Sequence, residues 1–291
     1  MSNGAADTVA LASQHTGLRN LAWALVIAAP VILFVFTHYL PYTVDWYDNF
    51  GLAVHVPLAP YQVPAYLSPP WFALILSPLG LFPSRLGQAI NAYLNLAVAA
   101  LVIARFRGGR WSFVLTFTSL PFAALILNGN VEWIPMLAML LPRPWGLPLL
   151  AAKPQAGGLV GLIWLKQARD KVRLLLPLAV VVSLSFVVWG WWPGRILANF
   201  AARPAEIGED HSPWPWLVPV GLAALYQAWK KEDELAAIGA TLCLSPYYIV
   251  HSVTLFFAML SARTPRRAAV FSALLWMWVV WKNWHLLFPS P

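Results

Sequence analysis

Two carboxylates stand three residues apart in "VDWYDNF", at Asp45 and Asp48, just after a long apolar run in a chain with only 11 acidic residues. A carboxylate in a loop above a lipid-facing cavity is placed to act as a general base, taking the proton of a hydroxyl as that hydroxyl attacks. The spacing puts both side chains on one helical face. It equally fits a helix start, with Asp45 as N-cap and Asp48 at the third position. A second candidate is Lys153 in "AAKPQAGG". A lone lysine between short apolar segments is costly unless it meets an anion or water. Phosphate is the natural anion, and snorkelling to the interface is the alternative.

Histidines add less. His211 follows Glu209 and Asp210 in "EIGEDHSPWPW". These are metal-ligating types, but ligands converging from several elements are not evident in the spacing. No metal site is expected, and His211 can pair with a phosphate instead. His251 in "SPYYIVHSVTLF" reads as a structural hydrogen-bonder at an outer turn, and His38, His55 and His285 read as interfacial. Among the 17 tryptophans, Trp46, Trp71, Trp133, Trp214 and Trp216 fall on the expected outer face. They suit an interfacial belt, or stacking on a sugar or lipid chain. No glycine-rich phosphate loop, G-x-S-x-G or H-E-x-x-H is present, so soluble nucleotide-sugar chemistry is not expected.

The elements that must carry these residues are apolar helices. Residues are 60% hydrophobic and 10% charged, against roughly 25% charged in soluble domains, so an all-α polytopic membrane protein is expected. The net charge of +8 is not a nucleic-acid signal. It gathers in short loops, "RFRGGR", "KQARDKVR", "KKEDE" and "RTPRR", as topology signals do. The single Cys243 excludes an internal disulfide. Residues 1–18 read as a short cytoplasmic tail, and 21–40 as a signal anchor long enough to span.

With every basic loop inside, the chain reads as a single domain of about eleven crossings. Residues 41–85 form a first outer loop and 194–213 a second. "SPPWFALILSPLGLF" is expected to be re-entrant or interfacial. Segments 131–141, 144–152 and 156–165 are too short for a full span of about 20 residues. They need a cavity or protein around their ends. Polar residues mark those ends: Asn128, Asn130 and Glu132 at one, Lys153 and Gln155 at the other.

One span is followed by Asp45-Trp46-Tyr47, Pro60-Tyr61, the Pro-Pro run, and then Asn91 and Asn95. "NGNVEWIPMLAMLL", "GLPLLAAKPQAGGLVGLIWL", "EDHSPWPWL" and "SPYYIVHSVTLF" come next, in that order. This order resembles the polytopic GT-C glycosyltransferases, most closely glycosyltransferase family 87, the polyprenyl-phosphate-mannose-dependent mannosyltransferases. The resemblance covers most of residues 20–262. Two turns depart from it, Asn128-Gly129-Asn130 for Gly-Gln-Asn and Asp210-His211-Ser212 for Asn-Gln-Ser, and the family usually carries further spans.

The resemblance implies a GT-C-like fold and inverting sugar transfer from a polyprenyl-phosphate donor to a lipid-linked or glycan acceptor. Asp45 would be the base and Asp48 its neighbour. Lys153 would contact the leaving phosphate, aided by His211, His251 or Arg85, with Tyr47 and Tyr61 in the substrate cavity. No cofactor is implied, and the place would be an inner (plasma) membrane with the N-terminus cytoplasmic. A non-catalytic GT-C-like subunit of a larger membrane complex is the second reading. A lipid or small-solute transporter is the third, although no matching second half is apparent.

Overall fold

The computed structural model describes residues 3–202 and 211–282, and every regular element in them is helical. Helix α1 (Asn3–Tyr39) continues without a break from the polar N-terminal residues into the apolar stretch Thr16–Tyr39. The first loop carries one π-type turn (Trp46–Phe50), α2 (Gly51–Ala53) and α3 (Pro70–Leu76). Helix α4 (Ser84–Arg105) follows, then the pair α5 (Arg110–Phe117) and α6 (Leu120–Asn128), bent by 53°. Four short helices come next: α7 (Trp133–Ala138), α8 (Arg143–Ala152), α9 (Pro154–Gly157) and α10 (Val160–Gln167). The rest is α11 (Lys171–Trp189), α12 (Trp192–Ala201), α13 (Val218–Lys231), α14 (Glu234–Leu244), α15 (Thr254–Arg263) and α16 (Pro265–Lys282).

Among the described residues, three helices are long and apolar enough to cross a bilayer: Thr16–Tyr39, α4 and α11. A fourth is gained if the bent pair α5–α6 counts as one span. The eleven crossings read from the sequence are therefore corrected. Most of the shorter apolar runs become helices of 4 to 14 residues, and proline accounts for several breaks. Pro142 and Pro154 stand at the starts of α8 and α9. Each biases the residue before it out of the helical region, and Lys153 is non-helical accordingly, at φ −141° and ψ 70°.

The expected outer loops also carry more structure than loops. "SPPWFALILSPLGLF" buries Trp71, Phe72 and Leu76, and its helix α3 packs on α11. One side of it is thus covered by protein, while Leu74, Leu81 and Phe82 stay exposed. The second outer loop is helical over Trp192–Ala201, with Leu197 and Phe200 exposed. Residues 203–210 of that loop, with Glu209 and Asp210, lie outside the described residues, as does His285.

Helix α4 is the central strut, packed against α1, α7 and α15. Small side chains such as Ala89, Ala92, Ala99 and Ala100 are buried along it, which lets neighbouring backbones come close. Polar pairs join other helices: Ser112 Oγ donates to the Ser261 carbonyl at 2.8 Å, and Thr116 Oγ1 lies 2.8 Å from Ser261 Oγ. Residues of the basic loops meet at one end. Lys166 pairs with Glu232 at 3.4 Å, Arg263 pairs with Asp233 at 2.5 Å, and the Arg263 guanidinium stands 5.5 Å from the Phe106 ring centre.

Two close fits position the first loop. Trp46 is 1% exposed and donates its indole N–H to the Ser84 carbonyl at 3.0 Å. A Cβ at Gly87 would lie 2.8 Å from that ring. At the other fit, α6 ends in a Schellman turn. The Asn130 and Gly129 amides donate to the Leu125 and Ile126 carbonyls, both at 3.3 Å. Gly129 has φ +71°, and a Cβ there would collide with Thr43 Oγ1 and lie 2.9 Å from Trp46 Cβ. Gly129→Ala is therefore expected to cost at least roughly 1–3 kcal/mol, the usual strain of a non-glycine residue at positive φ. Thermal unfolding in detergent should show a lower midpoint. An unchanged midpoint would mean that the first loop does not rest on this turn.

Candidate functional site

The buried carboxamides of Asn91 and Asn95, four residues apart on α4, decide where the site lies. Asn91 Nδ2 donates to the carbonyls of Gly129 and Asn130, both at 3.1 Å, and Asn95 Nδ2 donates to the Asn130 carbonyl at 2.7 Å. Their oxygens accept from Trp133, Asn95 from its amide at 2.8 Å and Asn91 from its indole at 3.0 Å. The turn 129–133 is thereby fixed at both ends, and it presents Asn130 and Glu132.

Around those two side chains the polar groups close into one network. Glu132 is fully buried, and its Oε1 lies 2.6 Å from Lys153 Nζ and 3.1 Å from His251 Nδ1. Lys153 also donates to Asn130 Oδ1. Asn130 Nδ2 donates to Asp45 Oδ2 at 2.7 Å and faces His251 Nε2 at 3.2 Å. His251 Nε2 is 3.6 Å from Asp45 Oδ2. In the neutral imidazole, a proton on Nδ1 would be donated to Glu132 and Nε2 would accept from Asn130. Lys153 balances the charge of Glu132, and each of these groups is all but closed to solvent except Asp45, which is 23% exposed.

The network opens on a cavity of about 420 Å³ lined by Asp45, Asp48, Asn130, Lys153, Gln155 and His251, among others. Asp45 immediately precedes the π-type turn, but its side chain makes no capping bond; it turns to Asn130 instead. Asp48 is held from outside. The Tyr42 hydroxyl donates to its Oδ1 at 2.6 Å, and that hydrogen bond pushes the Tyr42 phenol above its ordinary range. The cavity adjoins an apolar groove of about 800 Å³, and Leu67, Gln155 and Tyr247 line both spaces. Among the described residues no three His, Cys, Asp or Glu side chains form a metal-ligand group.

Of the residues singled out in the sequence, Asp45, Asp48, Asn130, Glu132, Lys153, Gln155 and His251 come together here. Five do not. Arg85 donates its Nε to the Thr37 carbonyl at 2.8 Å, closing the end of α1. His211 lines a different cavity beside Trp278. Tyr47 stacks on Tyr42 with ring centres 4.4 Å apart. Tyr61 lies behind the wall, donating to the Ser68 carbonyl at 3.0 Å. Asn128 is the last residue of α6 and does not line the cavity.

The tryptophans divide in the same way. Trp46, Trp71 and Trp133 are buried in the protein and offer no face to a sugar, whereas Trp214 and Trp216 are exposed. The residues alone gave His251 a structural place and the resemblance a phosphate contact; in the structure it touches three members of the network. The Ser-Pro before it and the run of aromatics were the only local signal.

Comparison of the chain with family models, with curated proteins and with solved structures finds no match. Fold and site by themselves define the class: among the described residues, an all-helical protein with three or four helices long and apolar enough to span a membrane, holding a buried charged network at the mouth of an apolar groove.

Removing one member of a buried ion pair leaves the other uncompensated, at a cost of about 3–5 kcal/mol. Lys153→Met is expected to lower stability on that scale, and adding Glu132→Gln should restore most of it. Unfolding of the two variants in detergent tests this, and equal losses in both would mean that the pair is not coupled.

Proposed function

We propose that this protein is a membrane glycosyltransferase of the GT-C kind, most like family 87. It moves mannose or a similar sugar from a polyprenyl-phosphate donor to an acceptor hydroxyl, with inversion. The observation that carries the reading is the joining of a charged cavity to an apolar groove through Leu67, Gln155 and Tyr247. A donor with a sugar-phosphate head and an isoprenoid tail has the same two halves. Ligand sites for such molecules are concave and largely apolar, with a few polar groups fixing orientation.

Asp45 is the general base. Its carboxylate faces the cavity and is aimed by the Asn130 amide. The acceptor oxygen bonds to the anomeric carbon as its proton passes to Asp45. The anomeric C–O bond breaks on the opposite side, and its electron pair leaves with polyprenyl phosphate. Lys153 has three N–H bonds. Two go to Glu132 and Asn130, leaving one for a phosphate oxygen. His251, held by Glu132 and Asn130, stands beside it. Asp48 borders the same space as a second carboxylate, and no cofactor enters the chemistry.

The cavity belongs at the outer face of an inner (plasma) membrane, with the N-terminus cytoplasmic. What supports this is the gathering of the basic loops. The Asp233–Arg263 pair stands at the start of α14, and the cavity residues Tyr247 to Ser252 come after its far end. Positive loops favour the cytoplasmic side.

Membranes containing the protein are expected to transfer labelled sugar from polyprenyl phosphate, and Asp45→Asn at equal protein level should lose at least a hundredfold, the lower range for a lost general base. Transfer that survives Asp45→Asn unchanged would remove Asp45 from the chemistry.

A further inference from the structure

One surface groove joins apolar side chains to cations. It runs along a single face of α16, has a volume of about 440 Å³ and is lined by Arg266, Arg267, Val270, Phe271 and Leu274. Steps of three and four residues align side chains on a helix. The two guanidiniums therefore stand at one end of the groove, and the apolar groups continue from them. Val270 and Leu274 are exposed. A second surface groove, of about 350 Å³ between α10 and α13, has no charged lining residue. Charge is thus particular to the α16 groove and not common to the protein's surface.

Among the described residues, neither Arg266 nor Arg267 has a hydrogen-bond or ion-pair partner, and both are exposed. Helices α5 and α15 pack on α16, and none of the three carries a carboxylate. Helix α5 adds a further guanidinium, Arg110, at its first residue. Asp233, in the neighbouring basic loop, is already held by Arg263 at 2.5 Å. The anion that meets Arg266 and Arg267 therefore comes from outside these helices. Its apolar part is short. From Arg267 to Leu274 the helix rises roughly 10 Å at 1.5 Å per residue, within one leaflet of a hydrocarbon core about 30 Å thick.

We propose that the α16 groove binds an anionic phospholipid, its phosphate taken by Arg266 and Arg267 and one acyl chain lying on Val270 and Leu274. Guanidinium suits the head group because its N–H donors meet phosphate oxygens in pairs. Free phosphate would use the arginines and leave the apolar floor bare. A zwitterionic phospholipid would bring a cation of its own to them. Basic loops favour the cytoplasmic side, so the lipid belongs to the cytoplasmic leaflet. The site is apart from the polar cavity, shares no residue with it, and stands whether or not the protein transfers sugar.

The test is photo-crosslinking of the full chain in phosphatidylcholine nanodiscs, with adducts mapped by mass spectrometry. One probe is phosphatidylglycerol with a diazirine in its acyl chain, and the other is phosphatidylcholine labelled likewise. Phosphatidylglycerol adducts at Val270 and Leu274 are expected to exceed those of phosphatidylcholine, by roughly fivefold for each arginine near the head group. Arg266→Ala with Arg267→Ala should bring the two probes level. Lys230→Ala with Lys231→Ala removes the same charge from another basic loop and should leave the preference intact. Equal labelling by both probes in the unaltered protein would overturn the proposal. So would a preference lost equally in the lysine variant, which would reduce the effect to net charge. Displacement of the adducts by inorganic phosphate at constant ionic strength would make free phosphate the occupant. Adducts replaced by crosslinks between two copies of α16 would make this face an interface between copies.

Discussion

Two asparagine side chains gripping one turn of backbone hold the polar heart of this protein in place. Asn91 and Asn95 lie fully buried on α4 and satisfy the carbonyls of residues 129 and 130 together with the amide and indole of Trp133. Buried backbone groups left unpaired are costly, and a turn placed among apolar helices has no water to fall back on. The carboxamide suits this task because it carries donors and an acceptor together. With its backbone satisfied from α4, the turn can aim Asn130 and Glu132 the other way, towards Lys153 and His251.

The ionic part of the network follows from that placement. A carboxylate as buried as Glu132 survives only with a cation in contact and hydrogen bonds around it. Lys153 is brought there by Pro154, which ends α8 and leaves the lysine non-helical between two helices. The short helices are thus not failed spans. They deliver charged ends to one point inside the protein, where full-length helices would carry those ends past it to the membrane surface.

Much of this was legible in the sequence, and the limits have physical reasons. The helical class and the long apolar segments follow from composition and run length, and the Asn-Gly-Asn after an apolar run is a helix-ending signal in itself. Asp45, Asn130, Glu132 and Lys153 stood out because polar residues are rare in so apolar a chain. The centrality of His251 did not, because its partners Glu132 and Asn130 lie 119 and 121 positions away. Trp46 read as an interfacial ring because the space that swallows it is made by a glycine on another helix, Gly87. The crossing count failed because short apolar runs such as 131–141 and 156–165 were each given a crossing, whereas α7 and α9 bury theirs against protein.

The anchoring of Trp46 has a mechanical consequence. The cavity wall that carries Asp45 and Asp48 is pinned to α4 by an indole fitted over Gly87 and by Thr43 resting on Gly129. The facing wall, residues 247–249, has no helix of its own. The two sides are held by different means: the carboxylates by side chains seated on glycines, the tyrosines by backbone, where the His211 amide donates to the Tyr248 carbonyl at 2.9 Å and Ser245 Oγ to the Tyr247 carbonyl at 2.8 Å.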